Sequence, residues 1–235
     1  MTSKDKQIAN RSSTQDVAKF LGQARALTQT ANAGRLIFAL DATASRQPTW
    51  DTACELQAEM FNAAATAANG KLLVQLCWYR GIGDFGAAEW TPNAAGLIQQ
   101  MAKVYCVGGR TQIARVLNHA LQESRQQRIH SLVFVGDCME EDPGHLYELA
   151  GQLKILRIPA FMFHEGREPL AASVFREIAA LSGGAYCPFD TAAADQLRQL
   201  LRGVGAFSAG GLSALQQLAQ REGGQLLKLV KQIDR

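Results

Sequence analysis

Five oxygen-bearing side chains stand where apolar runs stop. Asp41 closes the apolar part of RLIFALDATASRQPTW, Thr43 and Ser45 follow it at alternate positions, Thr111 comes directly after Gly108-Gly109-Arg110, and Asp137 ends SLVFVGD. A carboxylate at the end of a strand covered on both faces must be paired, hydrogen-bonded or metal-bound. Two carboxylates and three hydroxyls make an all-oxygen set. That is the donor type a hard divalent cation takes, Mg²⁺ foremost and Mn²⁺ or Ca²⁺ next, with Mg²⁺ octahedral at about 2.0–2.1 Å and water or a partner group in the remaining positions. Taken alone, Thr43 and Ser45 suit equally well the cap of a helix beginning near Trp50, because hydroxyls are favoured at helix N-termini. Glu140, Glu141 and Asp142 read as a solvated loop that adds negative potential nearby. His119, His130, His145 and His164 are scattered without i, i+4 pairing and read as surface or structural histidines. Cys54, Cys77, Cys106, Cys138 and Cys187 form an odd set without CxxC spacing, which favours reduced, mostly buried thiols over a disulfide framework or a zinc site.

Strands and helices in alternation must position these groups. GRLIFALDA is a short continuous apolar run, and WDTACELQAEMFNAAATAANG switches to helical spacing before stopping at Asn69-Gly70. KLLVQLCWYRG reads as a second strand, with DFGAAEWTP returning antiparallel to it as an edge hairpin. NAAGLIQQMAK is a short helix, VYCVGGR a loop, and TQIARVLNHALQESRQQ a well-patterned helix. SLVFVGD, IPAFMFHEG and AYCPFD are three more strands, each followed by a helical segment. The pattern predicts an α/β chain with three layers, doubly wound. Its central sheet has about six strands, mostly parallel, with one antiparallel edge hairpin, and helices sit at both termini. The expected division is an N-terminal helical extension over 1–32, the α/β domain over 33–207, and a C-terminal helical appendage over 208–235 with a glycine hinge at Gly210-Gly211.

Composition excludes some classes. With 24 Lys+Arg against 21 Asp+Glu, the net charge of +3 is too small and dispersed for a nucleic-acid footprint. No apolar stretch reaches the roughly 18 residues of a membrane span, and the first thirty positions are polar rather than signal-like, so no membrane association and a cytoplasmic address are expected. No GxxxxGK[ST] phosphate loop is present, and no GxGxxG follows the first strand.

The segments DATAS and GGRT, followed by an aspartate at a strand end, resemble the metal-ion-dependent adhesion site of von Willebrand factor A domains, whose pattern is Asp-x-Ser-x-Ser, a distant Thr and a distant Asp. The resemblance covers most of the chain, since the strand–helix order, the hairpin and the late segment FREIAALSGGAYCPFD also fall in place. It implies that Thr43, Ser45 and Thr111 offer hydroxyl ligands, that Asp41 and Asp137 bind directly or through water, and that a protein partner completes the ion with an Asp or Glu carboxylate. A rim of Ala44, Arg46, Trp50, Arg110 and Met139 would supply specificity. By family analogy the partner class is an AAA+ ATPase or chaperone system in a bacterial cytoplasm, and no enzyme activity is expected. Two departures stand out: Thr43 replaces the more usual Ser, and Cys138 stands in GDC where the family often has Gly.

Two other readings compete. A haloacid-dehalogenase-like phosphohydrolase would use Asp41 as nucleophile, but its second aspartate two residues later is Thr43 here. A metal-independent scaffold would make its contacts through the terminal helices, with apolar positions at Leu212, Leu215, Leu218, Leu226 and Leu229.

Overall fold

The structure is a computed structural model that describes residues 33–49, 72–92, 94–189 and 194–234. Six strands, β1 (Gly34–Asp41), β2 (Leu72–Arg80), β3 (Asp84–Ala87), β4 (Ser131–Gly136), β5 (Ala160–Glu165) and β6 (Ala185–Phe189), form one sheet in the order β3-β2-β1-β4-β5-β6. Neighbours are parallel except for β2 and β3, the expected antiparallel edge. Every residue of β1 is buried, the consequence of a central strand with helices on both faces. Its side chains alternate. Leu36, Phe38 and Leu40 enter one core, while Ile37 and Ala39 enter the other.

The helices are α1 (Ala94–Met101), α2 (Ile113–Gln126), α3 (Pro143–Ile155), α4 (Pro169–Ser182), α5 (Ala194–Glu222) and α6 (Gln225–Ile233). α2, α3 and α4 cover the Ile37 face, and α1, α5 and α6 cover the Phe38 face. Local chemistry sets their ends. Asp142 caps α3 by accepting from the His145 amide at 3.0 Å, and Glu168 caps α4 by accepting from the Leu170 and Ala171 amides. Pro143 and Pro169 occupy the first helical positions, where no intrahelical donor is lost. Gly183 ends α4 at φ 79°. None of the described helices is long and apolar enough to cross a membrane.

The helix expected over 51–69 and the N-terminal helical extension lie outside the described residues. The boundary expected at 207/208 is crossed by α5, which runs from Ala194 to Glu222 and breaks at Gly211, φ 68°. Beyond that break, Leu215, Ala219, Leu226 and Leu229 are buried in the same core as Leu36, Phe38 and Leu40 of β1, so 208–222 and α6 complete the domain instead of hanging from it. Gly34 explains how α5 approaches so closely: a Cβ there would lie 2.1 Å from the Ser208 carbonyl oxygen. The Ser131 and Ser208 hydroxyls meet nearby at 2.5 Å.

Candidate metal centre

The carboxyl ends of β1 and β4 are neighbours in the sheet, and they bring Asp41 and Asp137 together. Ligand-type atoms of Asp41, Asp137 and Cys138 all lie within 4.8 Å of one another. Asp41 is fully buried. Its Oδ1 accepts from the Thr43 amide at 2.8 Å, and its Oδ2 accepts from the Tyr79 hydroxyl at 2.8 Å. Burial pushes the Asp41 carboxyl above its ordinary value, opposed by the hydrogen bonds from Thr43 and Tyr79 and by the positive charge of Arg46. The Cys138 thiol is pushed up to about 12 by burial and by the negative charge of Asp137 and Asp41. Asp137 Oδ1 is buried and has no hydrogen-bond partner among the described residues. A buried carboxylate oxygen left in this way is the state a cation would relieve.

The hydroxyls are carried on the segments next to these carboxylates. Thr43 Oγ1 and Ser45 Oγ are 3.1 Å apart on the turn that follows β1. The 102–112 loop is held against that turn by a backbone bridge between Thr43 and Val107, with the Val107 amide donating to the Ala42 carbonyl at 3.0 Å. Gly109 lets the same loop lie against the end of β2, because a Cβ there would lie 1.9 Å from the Gly81 carbonyl oxygen. Thr111 is tied to the loop carrying Asp137: its Oγ1 accepts from the Glu140 amide at 3.0 Å, and its own amide donates to Glu140 Oε2 at 3.2 Å. The two clustered carboxylates, one with an orphaned oxygen, and the Thr43–Ser45 hydroxyl pair on the turn after Asp41 are oxygen donors that suit a divalent cation.

Several supporting residues differ from expectation. Arg46 is not on a rim. It is 1% exposed, its Nη2 pairs with Glu165 Oε2 at 2.7 Å, and its Nη1 donates to the Val135 carbonyl at 3.2 Å. The short 3-10 turn over Ala44–Thr49 aims it inward, under the site. Met139 is 5% exposed and belongs to the core against α2 and α3, because apolar surface in a loop seeks the nearest cover. Ala44 and Arg110 are exposed as expected, and Trp50 lies outside the described residues. Glu140 and Glu141 are not merely solvated: Glu141 accepts from the Ile113 and Ala114 amides at 2.5 and 2.9 Å and so caps α2 from a distant loop. Ile82 is 96% exposed at the β2–β3 turn, and its neighbour Gly81 donates to the Val107 carbonyl at 3.2 Å.

Two residues behind the centre carried no sequence signal. Tyr79 pairs in register with Asp41 across β1 and β2, which strand pairing alone reveals. His164 is fully buried, with Nε2 3.2 Å from the Asp137 carbonyl oxygen and Nδ1 2.8 Å from the Tyr186 hydroxyl. A proton on Nε2 lets it donate to that carbonyl while Nδ1 accepts from Tyr186, and burial lowers its basicity accordingly.

No family model and no curated protein sequence matches this chain; the likeness lies in three dimensions. A von Willebrand factor type A protein from Catenulispora acidiphila superposes with a TM-score of 0.60 at 16% identity, over 76% of this chain and 43% of that one. The VWA domain of SpRpn10 gives 0.57 at 15% identity, over 70% of this chain and 94% of that domain. Proximal thread matrix protein 1 from the mussel byssus, in a structure with a zinc-occupied MIDAS motif, gives 0.58 at 12% identity, over 83% of this chain and 53% of that one. The chain thus spans less than half the length of the Catenulispora protein and nearly all of the SpRpn10 domain. Its fold is that of a von Willebrand factor A domain, a mostly parallel α/β sheet with one antiparallel edge strand.

Proposed function

We propose that this protein is a binding module that holds a divalent cation at the carboxyl edge of its sheet and captures a carboxylate of a protein partner there. The observation that carries this reading is the orphaned, buried Asp137 Oδ1 beside the fully buried Asp41. Asp41 and Asp137 supply negative charge, Thr43, Ser45 and Thr111 supply neutral oxygens, and the short contact between the Thr43 and Ser45 hydroxyls orients that pair. When bound, the cation would act as the electrostatic bridge to an incoming Asp or Glu. Mg²⁺ suits the oxygen donors on hardness, and the zinc-occupied motif of the byssus protein supports a divalent ion in this type of site. Ala44 and Arg110 stand exposed where a partner would meet them, Arg110 with a guanidinium able to pair with a second carboxylate.

The reading is non-enzymatic. Thr43 occupies the position where a phosphohydrolase needs its second carboxylate, so Asp41 has no general acid two residues on. By family analogy the module would serve as an adaptor beside an AAA+ ATPase or chaperone system in a bacterial cytoplasm.

Isothermal titration of Mg²⁺ and Mn²⁺ into chelator-stripped protein tests this, with and without acetate as a stand-in for the partner carboxylate. Saturable binding that is lost in Asp41→Ala supports the module. Absence of binding in both conditions overturns it, and Mg²⁺-dependent hydrolysis of an aryl phosphate that Asp41→Asn abolishes would replace it with the phosphohydrolase.

A further inference from the structure

Cys138 changes the kind of ion this edge should prefer. The sequence alone suggests an all-oxygen donor set, but the described structure places the Cys138 thiol within 4.8 Å of both carboxylates. The segment that carries it is pinned on either side. The Asp137 carbonyl lies 3.2 Å from His164 Nε2, Met139 is buried in the core, and the Glu140 amide donates to Thr111 Oγ1 at 3.0 Å. Cys138 is therefore held on the Asp41 side by its neighbours' contacts rather than free to swing into solvent. Its own exposure is intermediate. Within that cluster Asp137 Oδ1 is buried and has no hydrogen-bond partner among the described residues, on a side chain of intermediate exposure whose carboxylate also lies within reach of the Cys138 thiol.

Donor chemistry then decides between ions. Mg²⁺ takes oxygen at about 2.0–2.1 Å and gains nothing from sulfur, whereas Zn²⁺ takes thiolate at about 2.3 Å and carboxylate at about 2.0–2.2 Å. In a tetrahedron with those bond lengths, neighbouring donors lie about 3.6 Å apart, a spacing of the same order as the 4.8 Å within which the three groups lie. Resting on the proposed cation site, we infer that Cys138 is a ligand: the edge is a mixed thiolate–carboxylate centre, selective for a borderline-soft divalent cation of the Zn²⁺ or Co²⁺ type. Cys138, Asp41 and Asp137 supply three ligands, and the fourth position is left to a nearby hydroxyl, water or a partner's carboxylate.

Any such site binds Zn²⁺ more tightly than Mg²⁺, so raw affinity does not test the inference and the effect of removing sulfur does. The probes are Zn²⁺, Mg²⁺ and Co²⁺ alone, added to chelator-stripped full-length protein, Cys138→Ser and Cys138→Gly, with circular dichroism confirming that each variant is folded. The expected results are an intense near-ultraviolet thiolate-to-cobalt charge-transfer band in the native protein that is lost in both variants, Zn²⁺ affinity reduced at least tenfold in Cys138→Ser, and Mg²⁺ affinity changed less than twofold. If the cobalt band is absent in the native protein or persists in Cys138→Ser, or if Zn²⁺ affinity is unchanged, Cys138 is not a ligand. In that case Mg²⁺ binding that Asp41→Ala abolishes leaves the parent site standing. Failure of all three ions to bind the native protein overturns both the site and the thiol ligand.

Discussion

The Tyr79 hydroxyl donates to Asp41 Oδ2 at 2.8 Å from the strand next to it, so the fully buried carboxylate is held by a side chain that cannot itself reach solvent. Tyr79 is fully buried and stacks on Phe134, with ring centroids 6.2 Å apart. Removing the hydroxyl leaves the stack in place and takes one donor from a buried carboxyl. Tyr79→Phe should therefore destabilise the cation-free protein by about 1–3 kcal/mol, the cost of a buried acceptor left unsatisfied, measured by urea unfolding in chelator.

Asp41 itself is expected to trade stability for binding. Burial disfavours its charge, so Asp41→Asn in chelator should unfold at or above the native midpoint, higher by about 1 kcal/mol. Native protein should gain about 2.7 kcal/mol when a binding cation is present at a hundred times its Kd, and the variant should gain nothing. A cation-dependent rise of equal size in both proteins would place the ion elsewhere.

Arg46 and Glu165 form an ion pair at 2.7 Å in which the arginine is 1% exposed. Removing either partner alone leaves a buried charge and should cost about 3–5 kcal/mol, while the double variant Arg46→Met/Glu165→Leu should recover most of that loss. A double-mutant cycle in urea measures the coupling. If Arg46 served as an exposed partner contact, Arg46→Met would change stability by no more than about 0.5 kcal/mol.

Shortening the chain after Phe207 should not yield a folded domain. Leu215, Ala219, Leu226 and Leu229 would leave the core, and each large aliphatic contributes about 1.5–3 kcal/mol through burial. Together these approach the whole stability of an ordinary domain. Far-ultraviolet circular dichroism and hydrogen exchange on residues 1–207 test this, and a cooperative melt would contradict it.

Acidification should weaken the fold. His119, His130 and His164 are each held below the ordinary imidazole value, with burial the leading cause; for His119, Glu123 opposes the shift. The unfolded chain therefore takes up protons before the folded one, so this contribution is complete above the ordinary value near 6.5 and is lost as pH falls toward the depressed values. Melting temperatures at pH 7.5 and pH 5.5 should differ in that sense. His119→Gln, which removes a ring whose Nε2 lies 2.8 Å from Gln75 Oε1, should narrow the difference.

The sheet was legible because β1 is apolar without a break from Leu36 to Leu40 before Asp41, and because β2 and β3 are separated by glycines that suit a hairpin. The residues brought to its edge were legible as types ending strands. What stayed hidden depends on pairing across long distances. Tyr79 is opposite Asp41 only through parallel register, and Arg46 turns inward only because Glu165 waits at the end of β5. Met139 was expected on the partner-binding rim, yet this apolar side chain in a polar loop follows the nearest core. The helical tail looked separate because glycines usually punctuate domains; here Gly34 lets α5 lie against β1, and Gly211 turns the chain so that its leucines return to the sheet.

The late arrival of Leu226 and Leu229 also sets a timetable. β1 precedes the other described strands, and its Phe38 face stays partly bare until nearly two hundred more residues have left the ribosome. A nascent chain of this kind keeps part of that apolar face without its final cover until α6 is made, the sort of transiently exposed surface that invites aggregation.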